Sequence, residues 1–369
     1  MKIGVPKEIK LFENRVGASP SMVRVFVEAG HQVIIESGAG LGSGMPDHLY
    51  LAAGAEIASD ATQVWSAEMV LKVKEPEAPE YPFLRENLIL MCFLHLSPNA
   101  PLTQALVKSK TIAIAFETVT DEQGRLPLLI PMSEIAGRLS IIVGCSALQI
   151  ISGGKGVLLG AVPGVLPAKV GIIGGGIVGV EAARMAMGLG ADVTIVEKNL
   201  NRIRELDALF GPRLKTLYST SQSIEESVCQ SDLVIGAVLI PGKLAPKLIT
   251  QAMVQKMGKG SVIVDVAIDQ GGCSETSRVT THGDPTYNID GVVHYCVANM
   301  PGAYPKTGTE ALGNATMEYA LILANKGYQL ALSEHSGLCE GLNVCRGMVT
   351  NEHVALDLGY EYTAPLEAL

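Results

Sequence analysis

The chain has 369 residues, of which 48% are hydrophobic and 40 are glycine. This length exceeds what one hydrophobic core usually serves, so the sequence predicts two domains. Lysine and arginine total 28 and aspartate and glutamate 37, and the resulting net charge of −9 argues against nucleic acid and anionic membrane surfaces as partners.

The seven cysteines are scattered and include no C-x-x-C pair, which is typical of reduced thiols and not of a disulfide framework. The chain opens on a strand-like segment at 2–5 instead of a charged leader with an apolar core. No apolar run reaches the roughly 18 residues that would span a bilayer. We therefore expect a cytoplasmic protein with no membrane partner, and we assign it no metal site.

Short apolar runs alternate with helical stretches through the first 128 residues. The first helix is predicted to begin at Ser19-Pro20 and to end at Gly30. Alternation of this kind is typical of parallel βαβ construction. Strands are predicted at 2–5, 32–36, 69–73, 88–94 and 111–116.

The next apolar strand, at 170–173, runs directly into Gly174-x-Gly176-x-x-Gly179 and a helical stretch. In such a motif the first glycine permits a tight turn and the second lets a pyrophosphate approach the backbone. The third lets the helix pack closely on the strand. Because the N-terminus of that helix offers unpaired N–H groups and a positive dipole end, the motif predicts a dinucleotide site.

Glu197 ends the following strand, at the place where a carboxylate distinguishes between dinucleotides. It can accept hydrogen bonds from a ribose 2′-hydroxyl and would repel a 2′-phosphate, so NAD is favoured over NADP. Lys198, Arg202 and Arg204 follow at once, and basic residues there can also host a phosphate.

The middle of the chain is flanked by prolines, Pro127 and Pro131 before it and Pro301 and Pro305 after it. Within it, further strands are predicted at 192–196, 232–236, 261–266 and 291–297. From about residue 309 the apolar spacing is helical and no further strand set is expected, so this end must pack on an existing domain.

These patterns predict a substrate domain made of residues 1–128 and 305–369, interrupted by an NAD-binding domain of residues 129–304. A cleft between two domains is a usual place for a small substrate.

Four polar residues lie at or beyond predicted strand ends, where ligands bind in open α/β sheets. They are Arg15, Lys74, His95 and Asp269. Together they suit an amino or keto acid, because arginine clamps a carboxylate, lysine polarises a carbonyl, and histidine with aspartate moves protons.

Taken singly, each of the four is more often a surface charge, a structural hydrogen bonder or a cap. Strand alternation cannot choose between Lys72 and Lys74. Asp265 competes with Asp269 in the same way, although a position inside the strand suits a structural role better.

Segments along nearly the whole chain closely resemble bacterial alanine dehydrogenase, among them Lys72-Val73-Lys74-Glu75-Pro76. The segments that carry this resemblance are Met1–Lys10, Glu13–Val16, Lys72–Pro76, Leu94–Leu96, Ser133–Arg138, Gly153–Gly160, Ala182–Ala186, Asp265–Cys273 and Ala298–Ala303.

The resemblance implies an α/β fold of two Rossmann-like, doubly wound domains, usually assembled as a homohexamer. It implies NAD-dependent interconversion of L-alanine with pyruvate and ammonium. The resemblance assigns substrate binding to Arg15 and Lys74, and so favours Lys74 over Lys72. It assigns proton transfer to His95 and Asp269.

The cofactor residues are assigned partly from the glycine motif and partly from the resemblance. They are Ser133, Gly174, Gly176, Ile177, Val178, Gly179, Glu197, Arg202, Ser219, Val238, Leu239, Val266, Ala267, Ile268, Asp269, Arg278, Val297, Ala298, Asn299 and Met300.

Three alternatives stay open. One is the dinucleotide-binding subunit of a nicotinamide nucleotide transhydrogenase, which docks on a membrane partner and needs no alanine site. The presence together of all four polar residues argues against it. The others are a related dehydrogenase acting on a different amino acid and a catalytically inactive NAD-binding protein.

The sequence also departs from the family pattern. Glu197 stands where aspartate is commoner, and Tyr304, Gly308 and Gly313 stand where other residues are expected. Each of the two glycines is expected to loosen its helix by up to about 1 kcal/mol relative to alanine. Their effect on domain closure stays open.

Overall fold

The computed structural model describes residues 1–238 and 244–369. The chain divides into two compact units, and each is described by itself. The first unit comprises Met1–Met132 and Gly302–Leu369, and the second comprises Ser133–Pro301.

The first unit contains the strands and helices at the two ends of the chain. From the N-terminus they are β1 (Lys2–Val5), α1 (Pro20–Glu28), β2 (Gln32–Glu36), α2 (Asp47–Ala52), β3 (Glu56–Ala58), α3 (Ala61–Trp65), β4 (Met69–Leu71), β5 (Ile89–Cys92), α4 (Ala100–Ser109) and β6 (Ile112–Ala115).

Helix α5 (Ile130–Ala147) continues from the first unit into the second. The second unit then contains β7 (Lys169–Ile173), α6 (Ile177–Gly188), β8 (Asp192–Glu197), α7 (Leu200–Phe210), β9 (Leu214–Tyr218), α8 (Ser221–Gln230), β10 (Leu233–Gly236), α9 (Gln251–Lys256), β11 (Val262–Asp265), β12 (Thr286–Ile289) and β13 (Val292–Tyr295).

The chain returns to the first unit through a long helix that breaks at Gly327, where the backbone leaves helical geometry. The returning elements are α10 (Pro305–Glu334), α11 (Ser336–Cys339), β14 (Leu342–Cys345), β15 (Met348–Val349) and α12 (Glu352–Leu358).

Both sheets are doubly wound. Among the described residues, six parallel strands of the first unit run in the order β3-β2-β1-β4-β5-β6, followed by β14 and β15 in antiparallel pairing. The six parallel strands of the second unit run β9-β8-β7-β10-β11-β13, with β12 antiparallel at the edge. The strand order reverses between β1 and β4 and between β7 and β10, and such switch points are where open α/β sheets bind ligands.

Apart from Asp265 at the end of β11, the central strands are apolar, as expected for parallel strands covered on both faces. Every residue of β5, β10 and β11 is buried. Helix α1 begins as predicted, with Pro20 in the first turn and the Ser19 side chain accepting a hydrogen bond from the Met22 N–H at 3.3 Å.

The doubly wound α/β fold is confirmed, but the expectation of no further strand set from about residue 309 is wrong. Strand β14 pairs with β6 and β15 pairs with β14, so this end extends the first sheet as well as packing on it. Each strand spans at most four residues, too short a run to stand out from the surrounding helical spacing.

A second correction concerns the strand predicted at 261–266. Strand β11 ends at Asp265, and Val266–Gln270 forms a turn of 3₁₀ helix. The apolar run continues past the strand because Ala267 and Ile268 are buried in that turn.

Candidate active site and cofactor site

Gly174 follows β7 and turns the chain toward α6. Its φ of +106° lies where glycine alone is unstrained, and a Cβ there would lie 2.6 Å from the Ala237 carbonyl oxygen. A Cβ on Gly179 would lie 2.0 Å from the Gly174 oxygen, so α6 packs against the turn only because that atom is missing.

Gly176 caps the N-terminus of α6 and faces open space. Apart from its chain neighbours, no described atom lies within 4 Å of the place a Cβ would take. The turn is therefore tight on the protein side and open beside the helix N-terminus, and this shape fits a pyrophosphate group.

The Glu197 carboxylate lies at the end of β8 against this turn. Its Oε2 accepts the Gly175 N–H at 2.8 Å, and its Oε1 accepts the Asn199 N–H at 2.8 Å. Each carboxylate oxygen can accept more than one hydrogen bond, so the fixed carboxylate retains acceptor capacity for ribose hydroxyls.

Arg202 lies across the same turn. Its Nε donates to the Gly175 carbonyl at 2.7 Å, and its Nη1 forms an ion pair with Glu205 at 2.7 Å. The guanidinium is thus committed to the backbone of the turn and to an acidic neighbour.

The other cofactor candidates lie mostly at the carboxyl edge of the second sheet. Ser219 follows β9, Val238 follows β10 and Val297–Met300 follow β13. Ile177 and Val178 lie in the first turn of α6, and Ser133 lies on α5. Leu239 lies outside the described residues.

Several of these candidates are buried, so only their backbone could reach a cofactor. Their side chains belong to the core, and they are Ala267, Ile268, Val297 and Met300. Val266, Ala298 and Asn299 are partly exposed, whereas Arg278 is exposed and its guanidinium lies 4.2 Å from the centre of the Tyr287 ring.

Asp265 and Asp269 occupy different environments. Asp265 is fully buried, and it accepts hydrogen bonds from the Cys273 N–H at 2.8 Å and the Ser277 hydroxyl at 2.5 Å. Asp269 is exposed on the 3₁₀ turn, where its Oδ1 accepts the Asn299 N–H at 3.2 Å. The structure therefore gives Asp265 the structural role and presents Asp269 to solvent.

The thiols near this edge are not poised to react. Burial raises the pKa of Cys273 well above its ordinary value, and the neighbouring Asp265 charge raises it further. Burial also raises the pKa of Cys296. Both side chains therefore stay protonated and belong to the packing of the second unit.

In the first unit, Arg15 forms a buried ion pair with Glu13. The Arg15 side chain is 1% exposed and that of Glu13 is 0% exposed. Nε and Nη2 of Arg15 donate to the two carboxylate oxygens at 2.7 and 2.5 Å, and Nη1 lies 2.8 Å from the Met132 sulfur. This bidentate contact fixes the plane of the guanidinium.

The side chains of Lys72 and Lys74 lie in different surroundings. Lys72 is fully buried between Glu8 at 3.1 Å and Glu80 at 2.8 Å. Lys74 is partly exposed, with its ammonium 5.9 Å from the centre of the Phe93 ring. The structure therefore makes Lys72 part of a buried charge network and leaves Lys74 closer to solvent.

His95 lies three residues beyond the end of β5, with its side chain 44% exposed. Its ring stacks on Phe93, with centroids 6.0 Å apart and planes 6° from parallel. Lys74 and His95 thus contact the same aromatic ring at the carboxyl edge of β4 and β5.

Sequence reasoning missed the residues that support the candidates: Glu8, Glu13, Phe93 and Glu117, the last of which accepts the His95 N–H at 2.6 Å. Glu13 is only two residues from Arg15, and the opposite charges were a usable signal. The other contacts depend on strand order, which brings distant parts of the chain together.

Two absences hold for residues 1–238 and 244–369. No group of three or more histidine, cysteine or acidic side chains is arranged to hold a metal ion. In the same part of the chain, no helix combines the length and apolar character needed to cross a membrane.

Comparison with known proteins gives consistent similarities over the full length. Alanine dehydrogenase 2 of Staphylococcus aureus (strain USA300) is 56% identical over 370 aligned positions, covering 100% of both chains. Alanine dehydrogenase of Staphylococcus haemolyticus (strain JCSC1435) is 56% identical, covering 100% of this chain and 99% of its own.

Solved structures agree with this. An L-alanine dehydrogenase superposes with a TM-score of 0.95 at 52% identity, covering 97% of this chain and 99% of that one. A transhydrogenase from Sinorhizobium meliloti has the same fold, with a TM-score of 0.84 at 24% identity, over 95% of this chain and 100% of that one.

Two doubly wound sheets, a glycine turn at a helix N-terminus and these similarities define a Rossmann-type, dinucleotide-binding oxidoreductase. Family models described as alanine dehydrogenase/PNT match residues 4–136 with the N-terminal domain and residues 140–352 with the C-terminal domain. The chain belongs to the alanine dehydrogenase/PNT family, and the resemblance stated from its sequence is confirmed.

Proposed function

We propose that the chain catalyses the reversible, NAD-dependent oxidative deamination of L-alanine to pyruvate and ammonium. The observation that supports this proposal is that Lys74 and His95 lie on the same Phe93 ring at the carboxyl edge of the first sheet; Arg15, in the loop after β1, is added to them on the family resemblance. A module that only passes hydride between dinucleotides does not need such a set.

The two units divide the work in this proposal. The first unit binds the substrate, and the second binds the dinucleotide at the Gly174–Gly179 turn. The open space beside Gly176 and the N-terminus of α6 would hold the pyrophosphate, and Glu197 would hold the ribose. When bound there, NAD would supply the acceptor for the hydride that leaves Cα of alanine.

The reaction consumes alanine, NAD and water and yields pyruvate, ammonium, reduced cofactor and one proton. We assign the substrate carboxylate to Arg15 on the family resemblance; in the structure Glu13 fixes the plane of its guanidinium through Nε and Nη2. Lys74 stabilises the negative charge that develops on the substrate oxygen when water adds to the imine carbon.

We assign the proton transfers to His95 and Asp269. His95 accepts a proton from the amine or from the attacking water, and Asp269 assists as the carbinolamine loses ammonia. Their exposure in their respective units supports these roles, since a proton carrier has to exchange with substrate and solvent.

Preference for NAD rests on Glu197. Its carboxylate is fixed by two backbone N–H groups, so a 2′-phosphate would meet a negative charge that cannot turn away. Replacing Glu197 with Gln should narrow the preference for NAD over NADP by about tenfold, since a charge-assisted hydrogen bond is worth about 1.5–3 kcal/mol.

The deciding experiment measures dinucleotide reduction against a panel of amino acids, with NAD and separately with NADP. The proposal expects reduction with L-alanine and NAD and little with NADP. Reduction of NAD with a different amino acid, and none with L-alanine, would show that the other amino acid is the substrate. No reduction with any amino acid, while NAD still binds, would indicate the dinucleotide-binding module.

We also propose that the protein assembles as a homo-oligomer, and a hexamer is the size expected. Support comes from an apolar surface on the second unit between residues 150 and 166. Ile151 is 91% and Leu166 88% exposed, and Ile150, Leu158, Val162 and Val165 are exposed as well. Large exposed apolar patches of this kind mark protein–protein interfaces.

Light scattering after size exclusion tests the assembly. Wild type should elute as an oligomer, whereas Ile151→Asp with Leu166→Asp should shift it to smaller species without unfolding it. The exposed Leu356→Asp on α12 is a matched control that should leave the size unchanged. A monomeric wild type would contradict the proposal.

A cytoplasmic location is part of the same proposal. It is supported by the cysteines, all seven of which are free thiols. Free thiols persist in reducing compartments. Fractionation of cells expressing the chain tests this directly, and activity confined to a secreted or membrane fraction would contradict it.

A further inference from the structure

Glu117 lies directly after β6, in the 3₁₀ turn Phe116–Thr118, and its side chain reaches the neighbouring strand end. Its Oε1 accepts the His95 N–H at 2.6 Å and the Leu94 N–H at 3.1 Å. Its Oε2 also lies within hydrogen-bond distance of the Leu94 nitrogen, at 3.2 Å. One carboxylate therefore binds two consecutive backbone donors that come after β5.

The backbone at His95 needs such support. Its φ is +47°, in the left-handed region that costs free energy for any residue with a Cβ. Leu94 and His95 both lie beyond the end of β5, and both of their N–H groups donate to the Glu117 carboxylate. The turn that aims His95 is thus held by a side chain from a different strand end.

The same carboxylate does not hydrogen-bond to the imidazole ring. Nδ1 of His95 lies 3.8 Å from Glu117 Oε1, which is beyond hydrogen-bond distance although within the distance of an ion pair when the ring is protonated. The ring instead rests on Phe93. The contact between Glu117 and His95 is therefore made at the backbone.

We propose that Glu117 is a positioning residue for the reaction, and that it acts by clamping the Leu94–His95 backbone in the conformation that aims His95 at the substrate. This rests on the role of His95 in the proposed function. A displacement of about 1 Å in a reacting group can cost about 100-fold in rate, so loss of the clamp should be visible in turnover.

Three substitutions of Glu117 separate the effect of its side-chain length from the effect of its negative charge. Glu117→Gln keeps the reach and an acceptor oxygen, Glu117→Asp keeps the charge but is shorter by one methylene, and Glu117→Ala removes both. The clamp predicts that alanine turnover falls about 100-fold in the Ala variant. The Asp variant should be closer to Ala, and the Gln variant closer to wild type.

The Michaelis constant for alanine and the affinity for reduced cofactor should change little, because Arg15 and the glycine turn are untouched. Glu86→Gln is the matched control, since its carboxylate is exposed and forms a surface ion pair with Lys110 at 3.5 Å. An Asp variant more active than the Gln variant would overturn the clamp, as would an Ala variant with wild-type turnover.

Hydrogen exchange tests the clamp without relying on activity. The amides of Leu94 and His95 should be protected in wild type and in Glu117→Gln and should exchange faster in Glu117→Ala. Equal exchange in all three would overturn the proposal even if turnover fell. An inactive wild type with protected amides would instead defeat the proposed function and leave the clamp standing.

Discussion

Glu8 holds the Lys72 ammonium at 3.1 Å with one carboxylate oxygen and accepts the Val73 N–H at 2.6 Å with the other. Glu80 approaches the same ammonium at 2.8 Å. Burial alone would lower the pKa of Lys72, but the two carboxylates outweigh burial and raise it above its ordinary value. Lys72 is therefore a charged structural residue whose partners also fix the backbone leading to Lys74.

Exchanging each lysine for methionine should separate stability from catalysis. Lys72→Met leaves two buried carboxylates without their cation, and the free energy of unfolding should fall by about 3–5 kcal/mol. Lys74→Met removes a partly exposed cation and should keep stability within about 0.5–1 kcal/mol of wild type. Urea unfolding measures both.

The same pair should behave in the opposite order when activity is assayed. Lys74→Met should lose most alanine turnover although it is folded. Lys72→Met, assayed in a temperature range where it stays folded, should retain more. Equal stabilities of the two variants would contradict the assignment of Lys72 to the buried network.

The glycine turn allows a similarly matched pair. A methyl group on Gly176 meets open space, so Gly176→Ala should fold normally but place the methyl where a pyrophosphate would approach. Gly179→Ala would bring a Cβ to 2.0 Å from the Gly174 oxygen and should destabilise the second unit. NADH binding by fluorescence and thermal unfolding together distinguish the two effects.

We expect NADH affinity to fall at least tenfold in Gly176→Ala with an unchanged unfolding midpoint. In Gly179→Ala the unfolding midpoint should fall even when it is measured without NADH. Normal NADH affinity in a folded Gly176→Ala would show that the cofactor phosphates do not approach this turn.

The strands that could be predicted are those buried on both faces, because their apolar runs are continuous. Short edge strands could not be found this way. β12 and β13 are joined by Asp290-Gly291, both with positive φ, and that dipeptide is a known hairpin signal that sequence analysis left unused. β14 and β15 are joined by Arg346-Gly347 in the same conformation, where the sequence signal is weaker.

For the site, the residues at strand ends were predictable and their supports were not. Parallel strands end at one edge of the sheet, so Lys74 and His95 could be placed together from their positions alone. Glu117 reaches His95 only because β6 lies beside β5, and Glu8 reaches Lys72 only because β1 lies beside β4. Such contacts follow from strand order, which no local pattern contains.

The buried histidine of β13 should make stability depend on pH. His294 is fully buried, with Nδ1 3.0 Å from the Val292 carbonyl oxygen and Nε2 2.8 Å from the Thr276 hydroxyl. Burial lowers its pKa below the ordinary value of 6.5, although the Val292 hydrogen bond and the charges of Asp265 and Asp290 oppose this.

Because the folded pKa is the lower one, the unfolded chain binds more protons below pH 6.5, and stability should fall as pH drops through this range. His294→Asn keeps a donor for Val292 and does not titrate. Urea midpoints at pH 7, 6 and 5 should fall less steeply in this variant than in wild type. Equal slopes would show that His294 does not contribute.

Gly313 offers a stabilising substitution in α10. A Cβ there would lie 3.7 Å from the Ser19 hydroxyl and 3.8 Å from the Met22 sulfur, which is ordinary packing distance. Alanine restricts the unfolded chain and favours helix, so Gly313→Ala should raise the free energy of unfolding by about 0.4–1 kcal/mol. Gly337→Ala is the control, since its Cβ would lie 2.0 Å from the Thr120 oxygen and should destabilise the fold. A Gly313→Ala variant less stable than wild type would contradict this prediction, because it would show that the added methyl group does not fit beside α1.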